Sequence, residues 1–118
     1  MRKLGLIGGM SWVSTRTYYE HLNRIVRSRA GPLASAPLLI ESLDFSDLAR
    51  LSTKEEWAHA TEVLIASARR LETAGAGALI IGANSMHKVF DEVAAAVSVP
   101  ILHIADCVGV RIDRKSVV

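Results

Sequence analysis

Four short apolar segments, separated by longer stretches with helical periodicity, constrain the fold of this chain more than any other feature of its sequence. The segments run from Lys3 to Ile7, Pro37 to Ser42, Ala78 to Ile81 and Pro100 to Ile104. Each is nearly continuous in apolar residues, which is typical of strands that are buried on both faces. Because these strands alternate with helices, the sequence predicts an α/β fold with a four-stranded parallel sheet and helices on both faces.

The second predicted helix has well-marked ends. Thr53 and Glu56 have the spacing of a capping box, and Gly75 is placed to end the helix. The apolar positions of this helix form one stripe, made of Trp57, Ala60, Leu64, Ala68 and Leu71. The pattern predicts a helix that packs against the sheet along that stripe.

The first predicted helix runs from about Val13 to Ser28, and Gly31 and Pro32 close it. The side chains that we expect to face the sheet are Leu22, Ile25 and Val26. The segment from Asp44 to Leu51 is predicted to be a loop with a short helical turn, and a helical pattern resumes at Val89.

The composition predicts one globular domain over residues 1–118. Half of the residues are hydrophobic, a high fraction for a domain of this size, so we expect a partner subunit to cover some apolar surface. The 14 basic and 12 acidic side chains form no extended basic patch, which argues against nucleic-acid binding. No apolar run approaches the roughly 20 residues of a membrane helix, and the single cysteine, Cys107, fits a reducing compartment. We expect a cytoplasmic protein without membrane contact.

The carboxyl ends of the predicted strands hold the candidate site residues, because loops from neighbouring parallel strands converge at that edge. The candidates are Met10 and Ser11 with the preceding Gly8-Gly9, then Ser42 and Asp44, then Ala83, Asn84 and Ser85, and finally His103 and Asp106. A glycine turn lets backbone N–H groups approach an anion, and the start of the following helix adds a favourable dipole. Two such helix starts on adjacent strands could together clamp the carboxylate of a small acid.

Structural roles compete with each of these interpretations. The Gly8 to Ser11 segment could equally be an ordinary strand-to-helix turn, and Asn84 or Ser85 could serve only as a helix N-cap. His87 would lie about one turn into that helix, where a surface role and a site role are both open. His103 is better explained as a partly buried histidine than as a catalytic one.

Several common kinds of site are absent from the sequence. The glycine turn lacks the GxGxxG spacing and the P-loop lysine of nucleotide sites, and no serine lies in a GxSxG elbow. No group of His, Cys, Asp and Glu has the spacing of a zinc site, so we expect no metal. Cys107 is better explained as a small buried residue than as a reactive thiol, and His21 and His59 are predicted to be surface residues of helices.

Five separated motifs resemble, in the same order, the amino-terminal half of the aspartate/glutamate racemase family. The motifs are Leu6 to Trp12, Ser14-Thr15 with Tyr18-Tyr19, Leu43-Asp44-Phe45, Asn84 to Lys88, and Leu102 to Asp106. The resemblance spans residues 4 to about 109. The GGMSW form is most similar to the branch of the family that acts on acidic amino acids.

The resemblance implies an isomerase that uses no pyridoxal phosphate or other cofactor and is built from two similar lobes of flavodoxin-like topology. In that family each lobe supplies one acid/base group, usually a cysteine thiol, to opposite faces of the substrate α-carbon. The resemblance assigns Met10, Ser11, Asn84 and Ser85 to substrate binding and Thr15 to support of the site. Further candidates for a supporting role are Asp44, His87 and His103.

The chain departs from that family at two points. Ala83 stands where the family usually carries the catalytic cysteine of the first lobe, or a threonine in one branch. A methyl group can neither accept nor donate a proton. The second lobe, with its own catalytic cysteine, is also missing from the 118 residues. The sequence therefore predicts a racemase by family whose activity in this chain alone is weak or lost.

Two other functions fit the same residues. A non-catalytic module that binds a small carboxylic acid or a partner would keep the anion site and lose the base, which Ala83 favours. A related reaction, such as hydantoin racemisation, maleate isomerisation or arylmalonate decarboxylation, would share the fold, but the GGMSW and NSMHK motifs argue against it. The expected partners are a small acidic amino acid or similar acid and a second copy of the chain.

Overall fold

The structure, a computed structural model, describes residues 3–44, 46, 48, 50–82 and 89–102. In chain order these residues form β1 (Lys3–Gly8), α1 (Trp12–Ala30), β2 (Leu38–Ser42), α2 (Lys54–Thr73), β3 (Ala76–Ile81), α3 (Phe90–Ala95) and β4 (Ile101–Leu102). The alternation of strands and helices is the predicted one. The predicted continuation of β4 to Ile104 lies outside the described residues.

The sheet has the strand order β2-β1-β3-β4, and all three strand pairings are parallel. The chain moves in one direction across the sheet from β1 to β2, and in the opposite direction from β2 past β1 to β3 and on to β4. Because parallel crossovers are right-handed, α1 covers one face of the sheet, while α2 and α3 cover the other. This arrangement confirms the predicted fold class, a flavodoxin-like parallel sheet with helices on both faces.

The main hydrophobic core lies between the sheet and α2. Ile7 and Leu79 of the central strands are fully buried there against Leu64 and Ala68 of α2, which are themselves fully buried. The predicted apolar stripe of α2 is confirmed, with Trp57 half-buried at its start. Burial of one leucine of this kind contributes about 2 kcal/mol of apolar transfer free energy.

The opposite face of the sheet is covered less completely. One row of side chains crosses that face, in the order Ile40, Leu6, Ile80 and Leu102 from β2 to β4. Leu6 and Ile80 are buried, whereas Ile40 and Leu102 at the two ends of the row are each 39% exposed. No residue of α1 is fully buried. Within the described part of the chain, a single helix therefore shields only the middle of this face.

The helix α1 begins at Trp12 and ends at Ala30, slightly longer at both ends than the sequence predicts. The predicted inward side chains Leu22, Ile25 and Val26 are half-buried. The prediction that His21 is a surface residue is wrong in part, because His21 is half-buried while His59 of α2 is exposed. The reason is helical geometry, since His21 lies one turn from the inward-facing Ile25.

The predicted capping box of α2 is confirmed. The Thr53 hydroxyl accepts a hydrogen bond from the Glu56 N–H, and the Glu56 carboxylate accepts one from the Thr53 N–H, both at 3.1 Å. At the other end Gly75 has φ +107°, the left-handed conformation that commonly follows a helix. Residues 46 and 48 lie in short turns before α2. No helix in the described segments is both long enough and apolar enough to span a membrane.

Carboxylates tie α2 to its neighbours at its carboxyl-terminal end. Arg70 forms a two-point ion pair with Glu41 of β2, with Nη2 to Oε1 at 2.6 Å and Nε to Oε2 at 2.8 Å. The Glu72 carboxylate accepts hydrogen bonds from the Ser98 N–H at 2.8 Å and the Val99 N–H at 3.2 Å, and from the Ser98 hydroxyl. These contacts fix the edge strand β2 and the loop before β4 relative to α2.

We predict that Glu72 makes the stability of the fold depend on pH. The Ser98 hydroxyl and N–H lower the pKa of Glu72. A carboxyl whose pKa is lower in the folded protein binds fewer protons there than in the unfolded chain, so its contribution is present above the ordinary pKa of about 4.3 and is lost as the pH falls through the lowered value. Glu72→Gln should lower the melting temperature at pH 7 and flatten its fall on acidification, as measured by circular dichroism between pH 7 and pH 3.

Glu62→Gln is the matched control, because Glu62 is an exposed residue of the same helix with no such loop contact in the described structure. Its melting curves should match those of the parent at every pH. Equal effects of the two substitutions would contradict a specific role for the Glu72 contacts.

Candidate functional site

The candidate site lies at the carboxyl edge of the sheet, where the chain leaves β1, β2 and β3. Two backbone hydrogen bonds join these exits. The Leu43 N–H donates to the Gly8 carbonyl oxygen at 2.8 Å, and the Gly82 N–H donates to the Ile7 carbonyl oxygen at 2.8 Å. The loops that follow the three strands therefore begin side by side at this edge of the sheet.

The turn after β1 depends on Gly9. Its φ of +84° lies in the left-handed region, which residues with a Cβ atom adopt rarely. In addition, a Cβ on Gly9 would lie 2.2 Å from the carbonyl oxygen and 2.4 Å from the nitrogen of Leu43. The turn after β1 and the loop after β2 are thus packed backbone to backbone, and only glycine fits between them.

Ser11 forms the N-cap of α1. Its hydroxyl lies 3.4 Å from the Ser14 N–H, which donates to it, and its carbonyl oxygen accepts the Thr15 N–H at 3.0 Å. No acidic residue occupies the first turn of α1, so the partial positive charge of the helix start is not neutralised locally. The first N–H groups of a helix have no partner within the helix, and a carboxylate at this edge would find favourable donors.

Thr15 supports the same turn from one helical turn further along. The Thr15 hydroxyl accepts the Gly9 N–H at 2.9 Å and donates to the Ser11 carbonyl oxygen at 3.2 Å. A Cβ on Gly8 would lie 2.7 Å from the Thr15 methyl carbon. The sequence predicted a supporting role for Thr15, and the structure gives that residue direct contacts with the turn.

The structure places the two predicted residues of the glycine turn differently. Ser11 is exposed at the edge of the sheet. The Met10 side chain is only 3% exposed and belongs to the core formed with α2. The Met10 side chain therefore holds the turn against the core. A role of this side chain in lining a substrate pocket stays a prediction.

Asp44 lies in the loop after β2, close in sequence to the Leu43 contact. Its Oδ1 accepts hydrogen bonds from the Ser46 N–H at 2.9 Å and the Ser46 hydroxyl at 2.8 Å. These two bonds lower the pKa of Asp44, so the exposed carboxyl is ionised at neutral pH. Asp44 therefore adds one fixed negative charge to the edge, held by its own loop.

The remaining predicted site residues lie outside the described structure. They are Ala83, Asn84, Ser85, His87, His103 and Asp106, together with Cys107. Gly82, the residue before Ala83, is buried and bonded to β1, so the chain enters this predicted segment beside the glycine turn. The described helix α3 begins at Phe90 with Val89 at its N-cap. The predicted capping, binding and catalytic roles of the residues before it stay predictions.

Two contacts of the site could not be read from the sequence. Leu43 takes part through its backbone, and Tyr18 of α1 packs over Gly82, where an added Cβ would lie 3.6 Å from the ring. Burial raises the pKa of Tyr18. Periodicity gives no signal for a backbone contact, and the pair Tyr18-Tyr19 was noticeable only as part of a family motif. Among the described residues, no group of three or more His, Cys, Asp or Glu side chains could hold a metal ion.

A shallow depression of about 340 Å³ lies elsewhere, between α1 and the loop that follows it. Its lining includes Tyr19, Asn23, Arg24 and Arg27. None of the predicted site residues that the structure describes contributes to it. The carboxyl edge of the sheet, where the glycine turn leads into the exposed start of α1, is therefore the better candidate for a ligand-binding site.

Comparisons with known proteins identify the family of the chain. A sequence profile of the Asp/Glu/hydantoin racemase family matches residues 7–116. A crystal structure described as a "putative Asp/Glu racemase" from Yersinia pestis superposes with a TM-score of 0.86 at 42% sequence identity. An aspartate racemase homologue from Pyrococcus horikoshii OT3 superposes with a TM-score of 0.85 at 35% identity. Each match covers 98% of this chain and 50% of the other, so the chain spans about half the length of these relatives.

We predict that Gly9→Ala destabilises the protein more than the same change at Gly75. Both glycines have positive φ, but a Cβ on Gly75 would meet no atom within 4 Å. Gly75→Ala should therefore cost about 1 kcal/mol for the backbone conformation alone. Gly9→Ala adds the collision with Leu43 and should cost about 2–5 kcal/mol. Urea unfolding of the two variants tests the difference, and equal free energies of unfolding would contradict the close packing of the turn.

Proposed function

Since the chain belongs to the Asp/Glu/hydantoin racemase family, we propose that it forms one lobe of a cofactor-independent racemase for acidic amino acids. The proposal rests on two observations. The family match covers nearly the whole chain, and the loops that follow β1, β2 and β3 begin side by side at the carboxyl edge of the sheet. The single observation that carries the location of the site is the fixed glycine turn at the start of α1, held by Leu43 and Thr15.

The chemistry explains why such an enzyme needs a preorganised carboxylate site. Removal of the α-proton of an amino acid leaves a carbanion whose charge spreads onto the carboxylate. Backbone N–H groups and the positive end of a helix stabilise that developing charge when they are fixed in place beforehand. The start of α1, with Ser11 exposed and no acidic residue in its first turn, fits this requirement. Asn84 and Ser85 would supply the remaining contacts to the carboxylate.

Inversion also requires two acid/base groups, because one group removes the proton from one face of the α-carbon and another returns it to the opposite face. In this chain the residue after Gly82 is Ala83, at the position where the family usually has the first of these groups. We therefore propose that this lobe binds the acid but contributes no proton-transfer group. The relatives are about twice as long as this chain, and the second group would belong to a second lobe.

A non-catalytic module for binding a small carboxylic acid is the second candidate, and Ala83 favours it. The two functions share the carboxylate contacts and differ in what a restored proton-transfer group would do. Exchange of the α-proton gained by Ala83→Cys would support a racemase lobe that lacks this group, whereas binding without exchange in both the parent and Ala83→Cys would support the binding module.

We predict that the parent chain binds L-aspartate or L-glutamate but does not exchange the α-proton. Incubation in deuterated water, followed by proton NMR of the α-hydrogen and by chiral chromatography, measures exchange and inversion separately. Ala83→Cys should gain slow exchange without inversion, because a thiol restores a proton-transfer group on one face only.

Two controls make this experiment decisive. Ala83→Ser adds a hydroxyl of similar size that is far less acidic than a thiol, so it should show no exchange. L-asparagine and L-glutamine, which lack the second carboxylate, should bind more weakly than the acidic amino acids. Deuterium incorporation with inversion by the parent would contradict the loss of catalysis. No binding of any acid by the parent would contradict the proposed function altogether.

We also propose that the chain forms a homodimer. Large apolar side chains are exposed on α1 and on the sheet face beneath it, including Trp12 at 66% and Tyr19 at 47%. A partner subunit on this side would remove them from water. Sedimentation velocity should give twice the monomer mass of 12.8 kDa at micromolar concentration. A monomer mass across the accessible concentration range would contradict the proposal.

A further inference from the structure

We infer that Thr15 is a positioning residue, which locks the peptide group between Gly8 and Gly9 and so sets the geometry of the carboxylate-binding turn. The inference rests on the proposed function of that turn, but it concerns a residue that touches no reacting atom. Its basis is the set of contacts made by the Thr15 side chain with three of the four residues of the turn.

The peptide between Gly8 and Gly9 is unusually free to rotate in the absence of such contacts. A peptide group flips through opposite rotations of ψ in the residue before it and φ in the residue after it. Both residues are glycine here, and glycine accepts nearly all values of these angles. Sterics within the turn therefore do not select one orientation of the peptide.

Two hydrogen bonds make that selection, one at each end of the same peptide group. The Gly8 carbonyl oxygen accepts the Leu43 N–H at 2.8 Å, and the Gly9 N–H donates to the Thr15 hydroxyl at 2.9 Å. A flip would break both bonds and would bring the carbonyl oxygen of Gly8 toward the oxygen of Thr15. Leu43 contributes only its backbone, so Thr15 is the one side chain among the described residues that holds this peptide.

The Thr15 hydroxyl also fixes the start of the helix. It donates its proton to the Ser11 carbonyl oxygen at 3.2 Å, and this donation leaves its lone pairs directed toward the Gly9 N–H. One hydroxyl thus connects the first peptide of the turn to the N-cap of α1. The N–H groups at the helix start, which would face a bound carboxylate, are held in register with the end of β1.

The Gly9 N–H donates its hydrogen bond to Thr15, so this N–H is not available to a bound substrate. The donors left for a carboxylate are those that follow, at the start of α1, and their direction depends on the peptide that Thr15 locks. Loss of the hydroxyl should weaken acid binding without removing any group that contacts the acid.

Valine and serine separate the two parts of the Thr15 side chain. Thr15→Val keeps the methyl group packed on Gly8 and removes the hydroxyl, while Thr15→Ser keeps the hydroxyl and removes the methyl. Thr17→Val is the matched control, because the Thr17 hydroxyl donates to the Val13 carbonyl oxygen at 3.1 Å on the same helix but makes no contact with the turn. Circular dichroism melting establishes that each variant folds.

The readouts are amide hydrogen exchange at Gly9 and the affinities for L-aspartate and L-glutamate, both measured by NMR on the isotopically labelled full chain. In the parent, the Gly9 N–H should exchange more slowly than an unprotected amide. Thr15→Val should speed this exchange at least about tenfold and weaken acid binding about three- to tenfold, as expected for one hydrogen bond. Thr15→Ser and Thr17→Val should stay within about twofold of the parent.

Each contrary result has a distinct meaning. If the Gly9 N–H of the parent exchanges as fast as an unprotected amide, the Thr15 hydroxyl does not hold the Gly8–Gly9 peptide, and the parent alone shows this. Equal acid binding by Thr15→Val and the parent would overturn the positioning role, as would a loss in Thr15→Ser as large as that in Thr15→Val. If the Gly9 N–H is protected but the parent binds neither acid, the proposed function is wrong, and so is the role of Thr15 in ligand binding. The role of Thr15 in holding the Gly8–Gly9 peptide would still be supported.

Discussion

The parallel pairing of β1 with strands on both of its sides is the constraint on which the rest of the structure depends. β1 lies between β2 and β3, so its backbone groups are satisfied in both directions and its side chains can be buried on both faces. Leu6 faces the α1 side and Ile7 faces the α2 side, and both are fully buried. The two neighbouring strands are reached by crossovers of the same hand in opposite directions, and this places the helices on opposite faces.

The candidate site follows from where this central strand ends. Because β1 is flanked on both sides, its exit is crowded by the exits of β2 and β3, and the backbone of Leu43 comes within contact of Gly9. Glycines at positions 8 and 9 relieve the crowding but leave the turn without a preferred peptide orientation. Contacts from Thr15 and Leu43 restore that preference. The turn is therefore shaped by groups that are distant from it in sequence or one helical turn away.

Much of the fold was predictable from local patterns in the sequence. The apolar runs located the strands, the spacing of Thr53 and Glu56 located the start of α2, and Gly75 located its end. Each of these signals depends on interactions within a few residues, which a linear sequence displays directly. Only the approximate location of the site was predictable. Ligands bind at the carboxyl ends of parallel strands, but this rule does not specify which groups make contact there. Met10 illustrates the limit, since a residue expected to line a pocket has its side chain in the core.

The sequence by itself determined the order and type of the elements, the family to which the chain belongs, and the identity of Ala83 as a residue that cannot transfer a proton. The tertiary structure decided which groups of the glycine turn remain free for a ligand. It assigned the Gly9 N–H to Thr15, the Gly8 carbonyl to Leu43 and the Asp44 carboxylate to Ser46. The physical reason is that hydrogen-bond donors and acceptors are paired by distance and direction in space, and the sequence specifies which groups exist but not which of them meet.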